Sequence, residues 1–416
     1  MLSRKDGILF IEGVSSLQLA EKFGTPLYVT SKEQLERNIL AYREAFPDCE
    51  ILYAVKANNN LAIMKIIAKN GFGADVFSAG ELYMALLAGF PKDKILFNGN
   101  SKSDDEIEMG VSACVKFSVD SLDELKTLDK IAGKYDRMVE IAFRINPNID
   151  PKTHPKIATG LKESKFGIQM EQAIEAYEVA MKCKNIRPVG IHFHIGSQIL
   201  ETLPFVEALK KIGELAIELE KIGVRLEFID MGGGLGIDYE GKGAPTPMDL
   251  ARAVLPVFED IRARLRSKPK LWLEPGRSIV GNTTVLLTKV NAVKKGYKNF
   301  VAVDAGFNIL IRPAMYNAYH RVLVANKEGG EELYTIVGPI CESGDILAKD
   351  RRLPRIEKGD ILVILDTGAY GFAMSSQYNG RPRCAEVLVS GEKVALIRER
   401  ESFGDLIAKQ RIPEWI

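Results

Sequence analysis

Eight short apolar or β-branched runs recur between Ile51 and Glu274, at residues 51–55, 73–77, 94–98, 115–119, 139–145, 189–194, 226–230 and 271–274. The stretches between them, such as 61–69 and 205–222, space apolar residues three and four apart, the period of an amphipathic helix. Buried strands alternating with helices make a parallel α/β architecture, and eight units predict a closed (β/α)8 TIM-type barrel rather than an open doubly wound sheet. After Glu274 the texture becomes β-rich, with candidate strands at 284–293, 300–303, 333–337, 360–365 and 385–388 between Gly, Pro and charged turns such as Glu357-Lys358-Gly359-Asp360. The early segment 7–30 also reads as strand, through Ile8-Leu9-Phe10-Ile11 and Pro26-Leu27-Tyr28-Val29. The expected division is therefore an N-terminal segment, 1–30, packing with the β domain; a barrel, 31–280; and a C-terminal β-sandwich or barrel, 281–416. No fixed-period repeat beyond the barrel units and no low-complexity segment interrupts this pattern.

Composition narrows the function classes. A chain of 416 residues with net charge +1 and no polybasic block lacks the electrostatic footprint of a nucleic-acid or anionic-membrane binder, which points to a small-molecule partner. Met1 to Gly7 lead into no apolar stretch of signal-peptide or membrane-spanning length, so a cytoplasmic location is expected. The five cysteines, Cys49, Cys114, Cys183, Cys341 and Cys384, are far apart and odd in number, which argues against a disulfide framework or a zinc site.

In such barrels chemistry gathers at the C-terminal ends of the strands. The residues falling there are Lys56, Asp75, Arg144 with Asn146, His194 with Gly196 and Ser197, Gly232-Gly233-Gly234, and Glu274 with Gly276 and Arg277. A lysine closing an apolar run is often a strand-end residue that snorkels to water, but partial desolvation there also lowers the amine pKa and frees it to attack an aldehyde. Gly232-Gly233-Gly234-Leu235-Gly236 after the seventh strand suits either a tight turn or a phosphate cradle, and it has no G-x-G-x-x-G register. His192-Phe193-His194 puts two imidazoles on one strand face. A metal site there lacks a third His or Cys ligand, since only His154 and His320 remain, so no metal is expected. His192 then reads as a core histidine. With an aldehyde cofactor in the mouth, Glu274 can hold a pyridine nitrogen protonated and Arg277 can take a substrate carboxylate.

These motifs in their order, Tyr53-Ala54-Val55-Lys56-Ala57-Asn58, His192-Phe193-His194-Ile195-Gly196-Ser197, Gly232-Gly233-Gly234-Leu235-Gly236 and Glu274-Pro275-Gly276-Arg277, resemble the pyridoxal-phosphate decarboxylases with an alanine-racemase-type barrel. Within that ornithine, diaminopimelate and arginine decarboxylase family the resemblance is to the diaminopimelate branch. It continues through His154-Pro155, Thr159-Gly160-Leu161-Lys162, Ser164-Lys165-Phe166-Gly167, Arg312-Pro313-Ala314-Met315-Tyr316, Gly338-Pro339-Ile340-Cys341-Glu342-Ser343-Gly344-Asp345 and Asp366-Thr367-Gly368-Ala369-Tyr370-Gly371, covering nearly the whole chain.

The resemblance implies decarboxylation of meso-2,6-diaminopimelate to L-lysine and CO2, the last step of lysine biosynthesis by that route, with pyridoxal 5'-phosphate as cofactor. It implies that Lys56 is the Schiff-base lysine, that His194 stacks on the ring, that Ser197 and the Gly233-Gly234 turn hold the phosphate, and that Glu274 pairs with the ring nitrogen. Gly276, Arg277 and Tyr370 would complete the cofactor site, with Asp75 and Arg144 as supports. Cys341 would supply a proton from the partner subunit, which implies a homodimer with shared active sites. Arg277, Arg312, Tyr316 and Tyr370 would meet the substrate, and Glu342 its distal ammonium. A relative acting on lysine, ornithine, arginine or carboxynorspermidine is the alternative within the class; a non-catalytic pyridoxal-binding homologue is the alternative outside it.

Overall fold

The computed structural model describes residues 1–150 and 164–416, so the His154-Pro155 and Thr159-Gly160-Leu161-Lys162 motifs lie outside the described residues. All eight apolar runs form strands: β1 (Glu50–Ala54), β2 (Gly73–Val76), β3 (Ile95–Phe97), β4 (Lys116–Val119), β5 (Val139–Asn146), β6 (Ile186–His192), β7 (Phe228–Asp230) and β8 (Lys270–Leu273). Each pairs in parallel with its neighbour in chain order, and β8 pairs with β1, which closes the barrel. Inside, Leu52, Leu96, Ala142, Val189, Phe228 and Trp272 form one buried cluster, with the Phe228 and Trp272 rings stacked 3.9 Å apart. Gly190 makes room for that stack, because a Cβ there would lie 2.3 Å from the Phe228 ring.

Polar residues cap the helices that follow the strands. Asn60, Ser78, Ser103, Ser121 and Thr246 each accept a backbone N–H in the first turn of helices Leu61–Lys69, Ala79–Ala88, Asp104–Ala113, Leu122–Lys134 and Pro247–Arg264. The rim between strand end and cap is thereby held in place, and candidate functional residues stand on it.

The chain divides into two compact units, one of Asn38–Ile237 with Gly243–Ser278, the other of Met1–Arg37 with Asp238–Lys242 and Ile279–Ile416. In the second unit the long strand Thr284–Lys294 pairs antiparallel with Leu27–Ser31, Ile361–Ile364 and Asn299–Val303. Leu27–Ser31 in turn pairs in parallel with Ala385–Ser390. Alternation along these strands feeds two cores: Tyr28, Leu286, Leu362 and Ile364 face one, while Leu27, Val29, Val285, Leu287 and Val363 face the other together with Leu9, Ile11 and Leu19.

Two sequence expectations need correction. Residues 7–30 are not strand throughout, since Ser16–Phe23 is a helix whose Leu19 and Ala20 are buried. The strand Ile346–Leu353 escaped notice because Lys349, Asp350, Arg351 and Arg352 mask its alternation, and Val322–Val324 and Lys393–Arg398 are too short or too exposed to stand out. Among the described residues no helix is long and apolar enough to cross a membrane.

Candidate active site

Lys56 stands two residues beyond β1, in the 3-10 turn Val55–Ala57. The turn is pinned from both sides: the Tyr53 hydroxyl donates to the Asn58 carbonyl at 2.8 Å, and the Asn58 N–H donates to the Val55 carbonyl at 3.1 Å. From there Nζ pairs with Asp75 of β2, a fully buried carboxylate, while the lysine side chain keeps 35% of its exposure. Burial and the nearby Glu274 raise the Asp75 pKa, and Lys56 and Asn98 oppose that rise. The Phe77 ring lies 5.5 Å from Nζ.

Asn98 follows β3 and was no sequence candidate, yet it links the site. Its Nδ2 donates at 2.6 Å both to Asp75 Oδ1 and to Glu274 Oε1, so one amide serves two buried carboxylates. Glu274 directly follows β8 and is 5% exposed. Burial alone would raise its pKa, but His192, Lys56 and His194 outweigh that penalty and hold it below the ordinary carboxylate value. It is therefore an anion at neutral pH. Burial and the charge on Glu274 push the pKa of the neighbouring Asp230 the opposite way, upward.

The two histidines separate where the strand ends. β6 stops at His192, so His194 lies on the following loop and not, as expected, on the same strand face. His192 Nδ1 bonds Ser118 Oγ at 2.7 Å and its Nε2 lies 3.4 Å from Glu274 Oε2, so this histidine does more than fill the core. His192, Asp230 and Glu274 bring one potential ligand atom each within 4.8 Å of one another. His194 accepts the Gly233 N–H at its Nδ1 at 3.1 Å, which leaves Nε2 to carry the ring proton. Desolvation, then Arg144 and Lys56, push its pKa well below the ordinary value, so the ring is neutral.

The glycine turn packs too closely for side chains. A Cβ at Gly233 would lie 2.2 Å from the Glu274 carbonyl, and one at Gly234, whose φ is +121°, would lie 2.5 Å from the Gly196 carbonyl. The turn thus draws together the loops after β6, β7 and β8. Gly276 fits between Ala54 and Ala57, 3.0 and 2.9 Å from its would-be Cβ. Beside it Arg277 donates from Nη2 to Ser197 Oγ at 3.0 Å. Arg144 in β5 is 4% exposed, its guanidinium 4.5 Å from the Phe166 ring centroid and within the field of Asp120, Glu274 and Asp75.

Glu81, also missed from sequence, lies within the field of Lys56 and Asp75. It accepts the Phe77 N–H at 2.7 Å, and burial raises its pKa to about 7. The folded state then binds a proton between about pH 4.5 and pH 7 that the unfolded state has lost, so stability falls through that window and stays low above it. Glu81→Gln, which copies the protonated form, is expected to stabilise the protein at pH 8 by about 3 kcal/mol at most and to change little at pH 4, read as thermal midpoints.

The second unit carries its own candidates. Arg312 is 4% exposed, donates from Nη1 to His320 Nε2 at 2.7 Å and lies 4.4 Å from the Tyr239 ring. Tyr316 ends the helix Arg312–Tyr316, and Asn317 turns the chain away in left-handed conformation. Tyr370 has a φ of +56°, which for an aromatic residue marks a backbone held by its surroundings. Cys341 is exposed, and all five cysteines are free. Its neighbour Glu342 accepts the Tyr378 hydroxyl at 2.7 Å.

The barrel residues form a donor set that fits an aldehyde-bearing pyridine with a phosphate arm. An amine stands on one side of the mouth and an anionic carboxylate on another, while a hydroxyl, a guanidinium and a glycine turn lie together. Asn98 Oδ1, His192 Nε2 and Asp230 Oδ2 are buried there without a hydrogen-bond partner among the described residues, as befits a mouth built for a polar guest.

Comparison with known proteins agrees with this chemistry. The family model described as pyridoxal-dependent decarboxylase, pyridoxal binding domain, matches residues 32–281. The chain is 69% identical to the diaminopimelate decarboxylase of Archaeoglobus fulgidus over 100% of both chains. It is 48% identical to that of Aquifex aeolicus, over 98% of this chain and 96% of the other. Among solved structures, diaminopimelate decarboxylase from M. jannaschii in co-complex with L-lysine superposes with a TM-score of 0.95 at 45% identity, covering 99% of this chain and 98% of that one.

Proposed function

We propose a reaction for a chain that belongs to the pyridoxal-dependent decarboxylases and, within them, to the diaminopimelate decarboxylase family: removal of one carboxyl group of meso-2,6-diaminopimelate as CO2, leaving L-lysine. This is the closing step of lysine biosynthesis through diaminopimelate, and we place it in the cytoplasm. The observation that carries the reading is the barrel mouth, where an amine, an anionic carboxylate and a hydroxyl–guanidinium pair beside a glycine turn all stand at strand ends.

When bound, pyridoxal phosphate supplies an aldehyde for covalent attachment and a ring that accepts an electron pair from a carbon losing CO2. Lys56 offers its amine to that aldehyde. Asp75 and Asn98 hold the lysine and Glu274 in one hydrogen-bonded row. Glu274, kept anionic by its neighbours, would hold the ring nitrogen protonated; an arginine there would suit a racemase better. His194, neutral and anchored through Nδ1, presents a flat face for stacking. Ser197 and the Gly233–234 turn would hold the phosphate, Gly276 and Arg277 would complete the cofactor site beside them, Arg144 would support the mouth, and Tyr370 would lie against the cofactor.

A substrate with an amino-acid head at each end requires partners for a distal carboxylate and a distal ammonium. Arg277, Arg312 and Tyr316 suit the first and Glu342 the second, and each charge-assisted contact contributes about 1.5 to 3 kcal/mol. A substrate without the distal carboxylate would have little use for both arginines. Cys341 gives its proton to the substrate carbon, and we assign it to the partner's active site within a homodimer.

The test is incubation of the purified protein with pyridoxal phosphate and a panel of diamino acids. L-lysine and CO2 in equal amounts from meso-diaminopimelate are expected, with L-ornithine turned over at least about a hundredfold less efficiently. Robust turnover of ornithine and none of diaminopimelate would overturn the assignment.

A further inference from the structure

The proposed proton donor Cys341 is exposed, and a thiol on an exposed loop needs something to aim it. The 3-10 turn Tyr378–Gly380 does this at two points. Asn379 Oδ1 accepts the backbone N–H of Cys341 at 3.0 Å, and Asn379 Nδ2 donates to Cys341 Sγ at 3.2 Å. One amide therefore grips both the main chain and the sulfur of the same residue. Tyr378, next to it, donates its hydroxyl to Glu342 Oε1 at 2.7 Å.

The surroundings make the turn a fixed support. Asn379 has φ 57° and ψ 25°, a left-handed conformation that asparagine tolerates better than most residues. The Tyr378 ring stacks on Phe307 with centroids 5.8 Å apart and planes 11° from parallel. The buried Asp345 carboxylate accepts the Phe307 N–H at 2.7 Å and the Ile340 N–H at 2.8 Å, tying that ring to the loop that bears Cys341. Arg381 Nη2 reaches the Pro339 carbonyl at 3.4 Å and closes the far side. Glu342 pushes the Tyr378 pKa up to about 12, so the phenol stays a donor at working pH.

We propose that Asn379 is a positioning residue for Cys341, orienting its thiol, and that Tyr378 holds Glu342 in the same way, so that one turn sets up both proton delivery and distal-ammonium binding. The inference rests on the roles assigned above to Cys341 and Glu342. An N–H pointed at sulfur occupies a sulfur lone pair, and it leaves the S–H to point elsewhere.

The experiment measures the alkylation rate of Cys341 by iodoacetamide at pH 8 in the full-length protein, resolved by peptide mass spectrometry, with exposed Cys114 as internal control. Asn379→Asp keeps the acceptor for the Cys341 N–H and replaces the donor with a carboxylate; alkylation of Cys341 is expected to slow about tenfold with Cys114 unchanged. Asn379→Gly keeps the left-handed backbone without the side chain, and a slowing of about threefold is expected. In steady state Asn379→Asp is expected to lower kcat about tenfold or more with KM within about twofold, whereas Tyr378→Phe raises KM more than it lowers kcat. Unchanged Cys341 alkylation in both Asn379 variants overturns the proposal. Alkylation is read without turnover, so failure of the proton-donor assignment shows separately, as a kcat for Cys341→Ala equal to wild type.

Discussion

Lys56→Ala is expected to lose at least about 10³-fold in kcat, equivalent to about 4 kcal/mol of barrier, together with the visible absorption of protein-bound pyridoxal phosphate. The reason lies in the turn Val55–Ala57, which carries the amine past the end of β1 to Asp75 with a third of its side chain still open. Two roles are separable here. If Lys56 only neutralised the buried Asp75, Lys56→Arg would restore function, because a guanidinium also pairs with a carboxylate. A guanidinium does not condense with an aldehyde at neutral pH, so Arg is expected to fail as Ala does. Absorbance and steady-state lysine production check both variants.

Glu274→Gln is expected to lower kcat by about 10² to 10³-fold with little change in KM, the signature of an interaction that matters mainly as charge moves in the transition state. The substitution keeps an oxygen for Asn98 Nδ2 and a similar volume, and removes only the charge. Glu274 remains anionic despite its burial because His192 and Lys56 stand beside it, so the loss should persist across neutral pH and not be recovered by raising pH. Kinetics from pH 6.5 to pH 9 check this, and a variant that recovered at high pH would argue against the assigned charge.

The barrel was legible because each strand is built on a short run rich in apolar and β-branched residues and each helix keeps its own period, so the eight runs at Ile51 to Glu274 survive as strands with shifts of a few residues at their ends. Periodicity does not say where a strand stops. His194 was read onto the face of His192, yet β6 ends at His192 and the two imidazoles serve different neighbours. Strand-end position singled out Lys56, Asp75 and Glu274 but not Asn98 or Asp230, which have ordinary sequence neighbours; only the closure of the barrel brings them to Glu274. The grip of Asn379 on Cys341 spans 38 positions of chain and has no local pattern at all. In the β unit, the charges of Ile346–Leu353 hid a strand that its pairing with Glu332–Val337 makes plain.

The central claim is that one cofactor is attached at Lys56 within reach of the glycine turn and Glu274. Borohydride reduction of the pyridoxal-phosphate-loaded protein, followed by peptide mapping, tests it most directly. A single pyridoxyl label on the peptide bearing Lys56, absent from Lys56→Ala, is the predicted result; a label on another lysine such as Lys102, or one that persists in Lys56→Ala, would contradict it.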